Sequence, residues 1–158
     1  MDEKYTEQEA HRHFASKLNG EVWNLLAKED RSQKEDELMV FAAHASCYHW
    51  LQVGTGVHHQ RGEWLISHVY AELGVPLAAL HHAERCQKLT EEHGNLLEDF
   101  DRAYALEALA RANAVAGMGE EAKRFKEQAE QAGQAIADEE GKKYFEGDLA
   151  SGNWGSLA

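Results

Sequence analysis

The chain has 158 residues, enough for one domain with a real core, and its 43% apolar and 28% charged residues are ordinary for a soluble globular protein. A net charge of −12 argues against a basic surface for nucleic-acid phosphates and against binding to anionic membranes. No apolar run approaches the ~18 residues of a membrane span, and Cys47 and Cys86 sit inside apolar helical patterns, as reduced core residues rather than a disulfide framework.

The opening Met-Asp-Glu-Lys-Tyr is polar and has no signal-peptide pattern, so a cytoplasmic location is the expectation. Thr6-Glu-Gln-Glu9 is a capping box and opens helix one. Phe14, Leu18, Val22 and Leu25/Leu26 continue one face to about Lys28, with a kink or break expected at Asn19-Gly20, where glycine costs ~1 kcal/mol against alanine. Ser32-Gln-Lys-Glu35 is a second capping box. Helix two follows to about Val53 through Leu38, Phe41, Ala42, Ala45 and Tyr48, and Gly54-Thr-Gly56 ends it.

Leu65, Ile66, Val69, Tyr70 and Leu73 recur at helical spacing and mark helix three, from about Val57 to Leu73. Gly74 suits a left-handed helix end, and Pro76 suits the first turn of helix four, which runs to about His93 with Leu77, Ala79, Leu80 and Ala83 facing inward. Helix five runs from Glu98-Asp-Phe-Asp to Ala116. Helix six runs from Glu120 to about Ala137, with Ala122, Phe125, Ala129 and Ala132 on its inner face. Asp138 caps a short last helix carrying Tyr144, Phe145 and Leu149. No segment reads as a strand. The expected fold is one all-α domain of six to seven antiparallel helices over residues 1–150. A flexible Gly/Ser-rich tail follows at 151–158, where Trp154 alone is suited to docking.

Two turns repeat. Leu73-Gly-Val-Pro-Leu-Ala-Ala79 and Ala116-Gly-Met-Gly-Glu-Glu-Ala122 each place a glycine, four residues, then an alanine. This resembles the turn of the tetratricopeptide (TPR) repeat, where glycine ends the first helix and alanine lets the second approach closely. The resemblance assigns Ile66, Ser67 and Tyr70, then Ala79 and Cys86, to family positions in the first hairpin. In the second it assigns Leu106, Leu109 and Ala110, then Ala122 and Ala129. The chain departs from the pattern in four places. Glu63 stands where tryptophan is common, Asn113 where tyrosine is usual, the late proline is missing, and Gly74 and Gly117 lie 43 residues apart instead of about 34.

The resemblance covers Val57–Ala137. It implies a concave surface that holds a protein or peptide, lined by Arg61, Trp64, His68 and Glu72 from helix three and Tyr104, Glu107 and Arg111 from helix five. Repeat stacks also expose apolar ends, which leaves a homo-oligomer open.

Ten histidines are the other distinctive feature, eight of them between residues 44 and 93. Helical metal pincers need spacings of three or four, which His44–Cys47 and His82–Cys86 have. A site is otherwise assembled across helices. The alternative reading is therefore zinc or another divalent transition metal on His44, His49 and His68, with His59 near the start of helix three as an alternative to His68 and Glu63 as a carboxylate donor, in a small metal-binding protein or metal-dependent hydrolase. Length and helix-two histidines are similar to the DinB-type helical metalloenzymes, although no histidine follows His93. Ala43–Trp50 and Gln60–Trp64 are dense in aromatic and charged residues and are expected to form a functional surface or an oligomer interface. With no nucleophile elbow, phosphate loop, dinucleotide fingerprint or His-Glu-x-x-His motif, the non-enzymatic reading leads.

Overall fold

The capping chemistry read from the sequence starts the helices where it should. In the computed structural model, which describes residues 3–157, α1 spans Glu7–Leu26, α2 Gln33–Val53, α3 Gly56–Glu72 and α4 Pro76–Glu92. They are followed by α5 at Asp99–Val115, α6 at Gly119–Gln134, α7 at Glu139–Leu149 and a 3-10 turn at Gly155–Leu157. Met1 and Asp2 of the polar start and Ala158 of the tail lie outside the described residues. Thr6 and Ser32 both form reciprocal capping boxes, with Glu9 and Glu35. Asp138 Oδ2 accepts from Gly141 N at 2.7 Å and caps α7. There is no strand among the described residues, and no helix there is long and apolar enough to cross a membrane.

Consecutive helices pack as hairpins: α1 on α2, α3 on α4, α5 on α6. The hairpins are joined by contacts of α2 with α3, α4 with α5 and α3 with α5. The two turns that look alike in sequence are also alike in backbone. Gly74 and Gly117 have φ of +69° and +76°, a region where only glycine is free of steric cost. Val75 N donates to Tyr70 O at 2.9 Å, and Met118 N to Asn113 O at 2.9 Å, so each helix ends in the same six-residue closure.

The centre of the molecule is α5. Its alanines at 103, 105, 108, 110, 112 and 114 are all buried, which lets α3, α4, α6, α7 and the 3-10 turn pack around one narrow helix. Ala79, Cys86, Ala122 and Ala129, the small positions of the second helix in each hairpin, are fully buried as well. Ser67 Oγ donates to Ala79 O at 2.9 Å across the α3–α4 contact.

Three expectations need correction. Gly20 does not break α1, which is continuous from Glu7 to Leu26. Leu77 is 81% exposed, because it sits on the outer side of the first turn of α4. The inner face of α2 is Met39, Ala42, Ala43, Ser46 and Cys47, so Leu38, Phe41 and Tyr48 lie on the outside, at 50%, 70% and 57% exposure. The apolar pattern of α2 is two-sided, and its small-residue side is the one that meets α1 and α3.

Candidate functional site

The seven residues expected to line the groove do gather between α3 and α5. Arg61 makes a two-pronged pair with Asp101, Nε to Oδ1 at 2.8 Å and Nη2 to Oδ2 at 3.0 Å. Trp64 Nε1 donates to Glu107 Oε2 at 2.9 Å, and its ring meets Tyr104 edge-on at 5.1 Å. His68 stacks flat on Trp64 at 4.8 Å. Spacing of three and four along α3 puts these side chains on one face, opposite the matching face of α5.

That face is not an open groove. Glu107 and Arg111 are buried, and Arg111 is enclosed by the end of the chain itself. Its Nη1 donates to Ser151 O and its Nη2 to Asp148 O, both at 2.8 Å, while Nε pairs with Glu107. Trp154 closes over the guanidinium. Asn153 N donates to Glu72 Oε2 at 3.0 Å, and Asn153 Nδ2 to Ala71 O at 3.1 Å. The segment expected as a flexible tail thus lies along the far half of the face. A guanidinium offers five donors and no acceptor, so backbone carbonyls at an irregular chain end are suitable partners for it.

The near half remains open as a cavity of about 260 Å³ between α1, α3 and α5. Its apolar walls include Trp23, Trp64, Phe100 and Tyr104, and Arg61 and Asp148 supply polar edges. Trp23 and Trp64 stack at 5.8 Å and 20°. Tyr104 Oη donates to Asp148 Oδ2 at 2.5 Å, and burial together with this bond pushes the phenol well above its ordinary range. Trp23, Phe100 and Asp148 are the residues sequence reasoning missed here. Trp23 adjoins the apolar run of α1, and nothing local reports that its ring reaches Trp64 of α3.

The histidines separate into different environments. His44 Nε2 is 3.0 Å from Tyr70 Oη, and its ring meets that of His82 at 5.4 Å. His49 Nδ1 is 2.8 Å from His11 Nδ1. His68 lies under Trp64, and burial, with Arg111 nearby, lowers its pKa to about 4. His44, His49 and His68 are therefore not brought together around one ion. Among the described residues, the donors that approach closely enough to share an ion are Cys47, His59 and Glu63, whose ligand atoms all lie within 4.8 Å of one another. Burial raises Glu63, but hydrogen bonds from His82 and Arg85 outweigh it and hold the carboxyl at about 2. Burial, with Glu63 beside it, pushes the Cys47 thiol up to about 11.

The dense stretch around residues 43–64 is likewise divided. Trp50 stacks on His58 at 4.4 Å beneath Arg12, whereas Trp64 belongs to the α3–α5 face. Comparisons with protein-family models, with curated proteins and with solved structures find no match to this chain.

Proposed function

We propose that the chain is a TPR-like binding module that holds a protein or peptide segment, one side chain of which enters the cavity between α1, α3 and α5. The repeated turn at Gly74 and Gly117 supports the repeat reading. The observation that carries the binding reading is the aromatic wall of Trp23, Trp64, Phe100 and Tyr104 around about 260 Å³, with Arg61 and Asp148 at its edge. Aromatic residues beside arginine are the usual anchors of a recognition surface. A cavity of this size matches one side chain better than a whole cofactor, given that small-molecule sites run from about 300 to 1,000 Å³. The enclosure of Glu107 and Arg111 confines the partner to the end of the face formed by Arg61, Trp64 and Tyr104.

Trp23 is the residue to change, because it lines the cavity yet is 40% exposed and contributes less to the core than Trp64. Peptides selected from a random library on the full chain are expected to bind Trp23→Ala at least about tenfold more weakly, while binding Leu77→Ala equally well. Selected peptides that bind both variants alike would place recognition elsewhere.

A further inference from the structure

We propose that Cys47, His59 and Glu63 form a binding site for a divalent transition metal, zinc by its donor chemistry, between α2 and α3. This site is separate from the aromatic cavity and does not depend on the binding reading above.

His59 and Glu63 are one turn apart on α3, so their side chains project on the same side of the helix. His59 Nε2 and Glu63 Oε1 are 3.5 Å apart, close to the separation of about 3.3–3.7 Å that two ligands of a tetrahedral ion keep at bond lengths near 2.0–2.3 Å. Cys47 arrives from α2, and its Sγ, one His59 ring nitrogen and one Glu63 carboxylate oxygen all lie within 4.8 Å of one another, so rotamer shifts on the order of 1 Å close the set.

The seat of the thiol is Gly62. A Cβ on Gly62 would stand 2.7 Å from Cys47 Sγ. Glycine in a helix interior costs about 1 kcal/mol against alanine, and in this helix it makes room for the sulfur against the backbone. Thus α3 supplies two donors and the space for the third.

Glu63 has two further partners, His82 and Arg85. His82, from α4, is 2.5 Å from Glu63 through Nδ1 and Oε2, which orients the carboxylate as an outer-shell partner does. Arg85 Nε donates to Glu63 Oε1 at 3.0 Å, and its side chain is 46% exposed. The guanidinium can turn to solvent and yield that oxygen to an ion. Cys47 and Glu63 are buried and His59 is half-buried, so entry is past the His59 ring.

A thiolate, an imidazole and a carboxylate together favour zinc over magnesium or calcium, which take oxygen donors. On binding, the Cys47 S–H bond breaks, the sulfur pair goes to the metal and the proton goes to solvent. Three protein donors leave a four-coordinate ion one position for water or another ligand.

The test is a titration of the full reduced chain with Co²⁺, followed by absorption. A thiolate-to-cobalt charge-transfer band saturating at one equivalent is expected. Cys47→Ser should abolish the band. His59→Ala should weaken binding at least about tenfold, while His13→Ala, an exposed histidine on α1, should not change it. Arg85→Gln should bind at least as tightly as the parent chain, because it removes the cation that competes for Glu63. Absence of the band in the parent chain, its survival in Cys47→Ser, or undiminished affinity in His59→Ala would each overturn the proposal. If Cys47→Ser does not fold by circular dichroism, the parent band and His59→Ala decide the question.

Discussion

The indole of Trp154 lies over the guanidinium of Arg111, with the ring centroid 4.2 Å from Cζ. The contact joins the segment just before the 3-10 turn to the C-terminal half of α5. It completes a buried charge centre in which Arg111 is also bonded to Glu107, Ser151 and Asp148. Trp154→Ala is expected to cost about 3–5 kcal/mol, because it opens a large cavity beside a buried cation. Trp154→Phe should recover most of that. The indole N–H has no partner, so its loss strands nothing. Urea unfolding of the two variants measures both values.

The same face predicts an acid response. His68 is held at about 4 by burial, with Arg111 on α5 adding to the effect and Glu72 on α3 and Asp148 on α7 opposing it. The folded value lies below the ordinary histidine value of about 6.5, so the unfolded chain binds more protons between them. Stability from this group is fully present above pH ~6.5 and is lost as pH falls toward ~4, by an amount of order 3 kcal/mol. His68 Nδ1 has no hydrogen-bond partner. His68→Phe is therefore expected to fold normally at pH 7 and to flatten the decline between pH 6.5 and 4 in urea melts. An unchanged slope would show that another group titrates there.

Two glycines should respond oppositely to alanine. A Cβ on Gly20 meets nothing within 4 Å, and the residue is inside α1, so Gly20→Ala is expected to stabilise by about 0.5–1 kcal/mol. Gly74 has open space too, but its φ is +69°, and Gly74→Ala should destabilise by about 1–2 kcal/mol. Paired thermal melts distinguish steric room from backbone conformation.

The packing of α2 is testable by a neighbouring pair. Met39 is fully buried and Phe41 is 70% exposed. Met39→Ala should cost about 2–5 kcal/mol, and Phe41→Ala less than about 0.5 kcal/mol, although phenylalanine is the larger side chain. Equal losses would mean that Leu38, Phe41 and Tyr48 are covered in solution, which sedimentation equilibrium would reveal as self-association.

Much of the candidate site was legible in part. Arg61, Trp64 and His68 share a helical face by spacing alone, and the structure keeps them there. What the spacing could not report is that Ser151 to Trp154 return to cover Arg111, a contact between residues about 40 apart in the chain. The His59–Glu63 pair is also visible as a one-turn spacing. Its third member, Cys47, is supplied by another helix, and only the docking of α2 on Gly62 brings the thiol within reach.

The sequence by itself determined the all-α class, the helix starts and the two left-handed turns. Capping boxes, glycine and proline act through bonds and sterics within a few residues. Only the tertiary structure decided which side of α2 is buried, which histidines meet, and that the chain end fills half of the α3–α5 face. Those outcomes depend on which helix surfaces can approach most closely. On α2 the small residues Ala42, Ala43, Ser46 and Cys47 outweighed the large apolar ones, because close packing rewards fit between surfaces and not the hydrophobicity of either one alone.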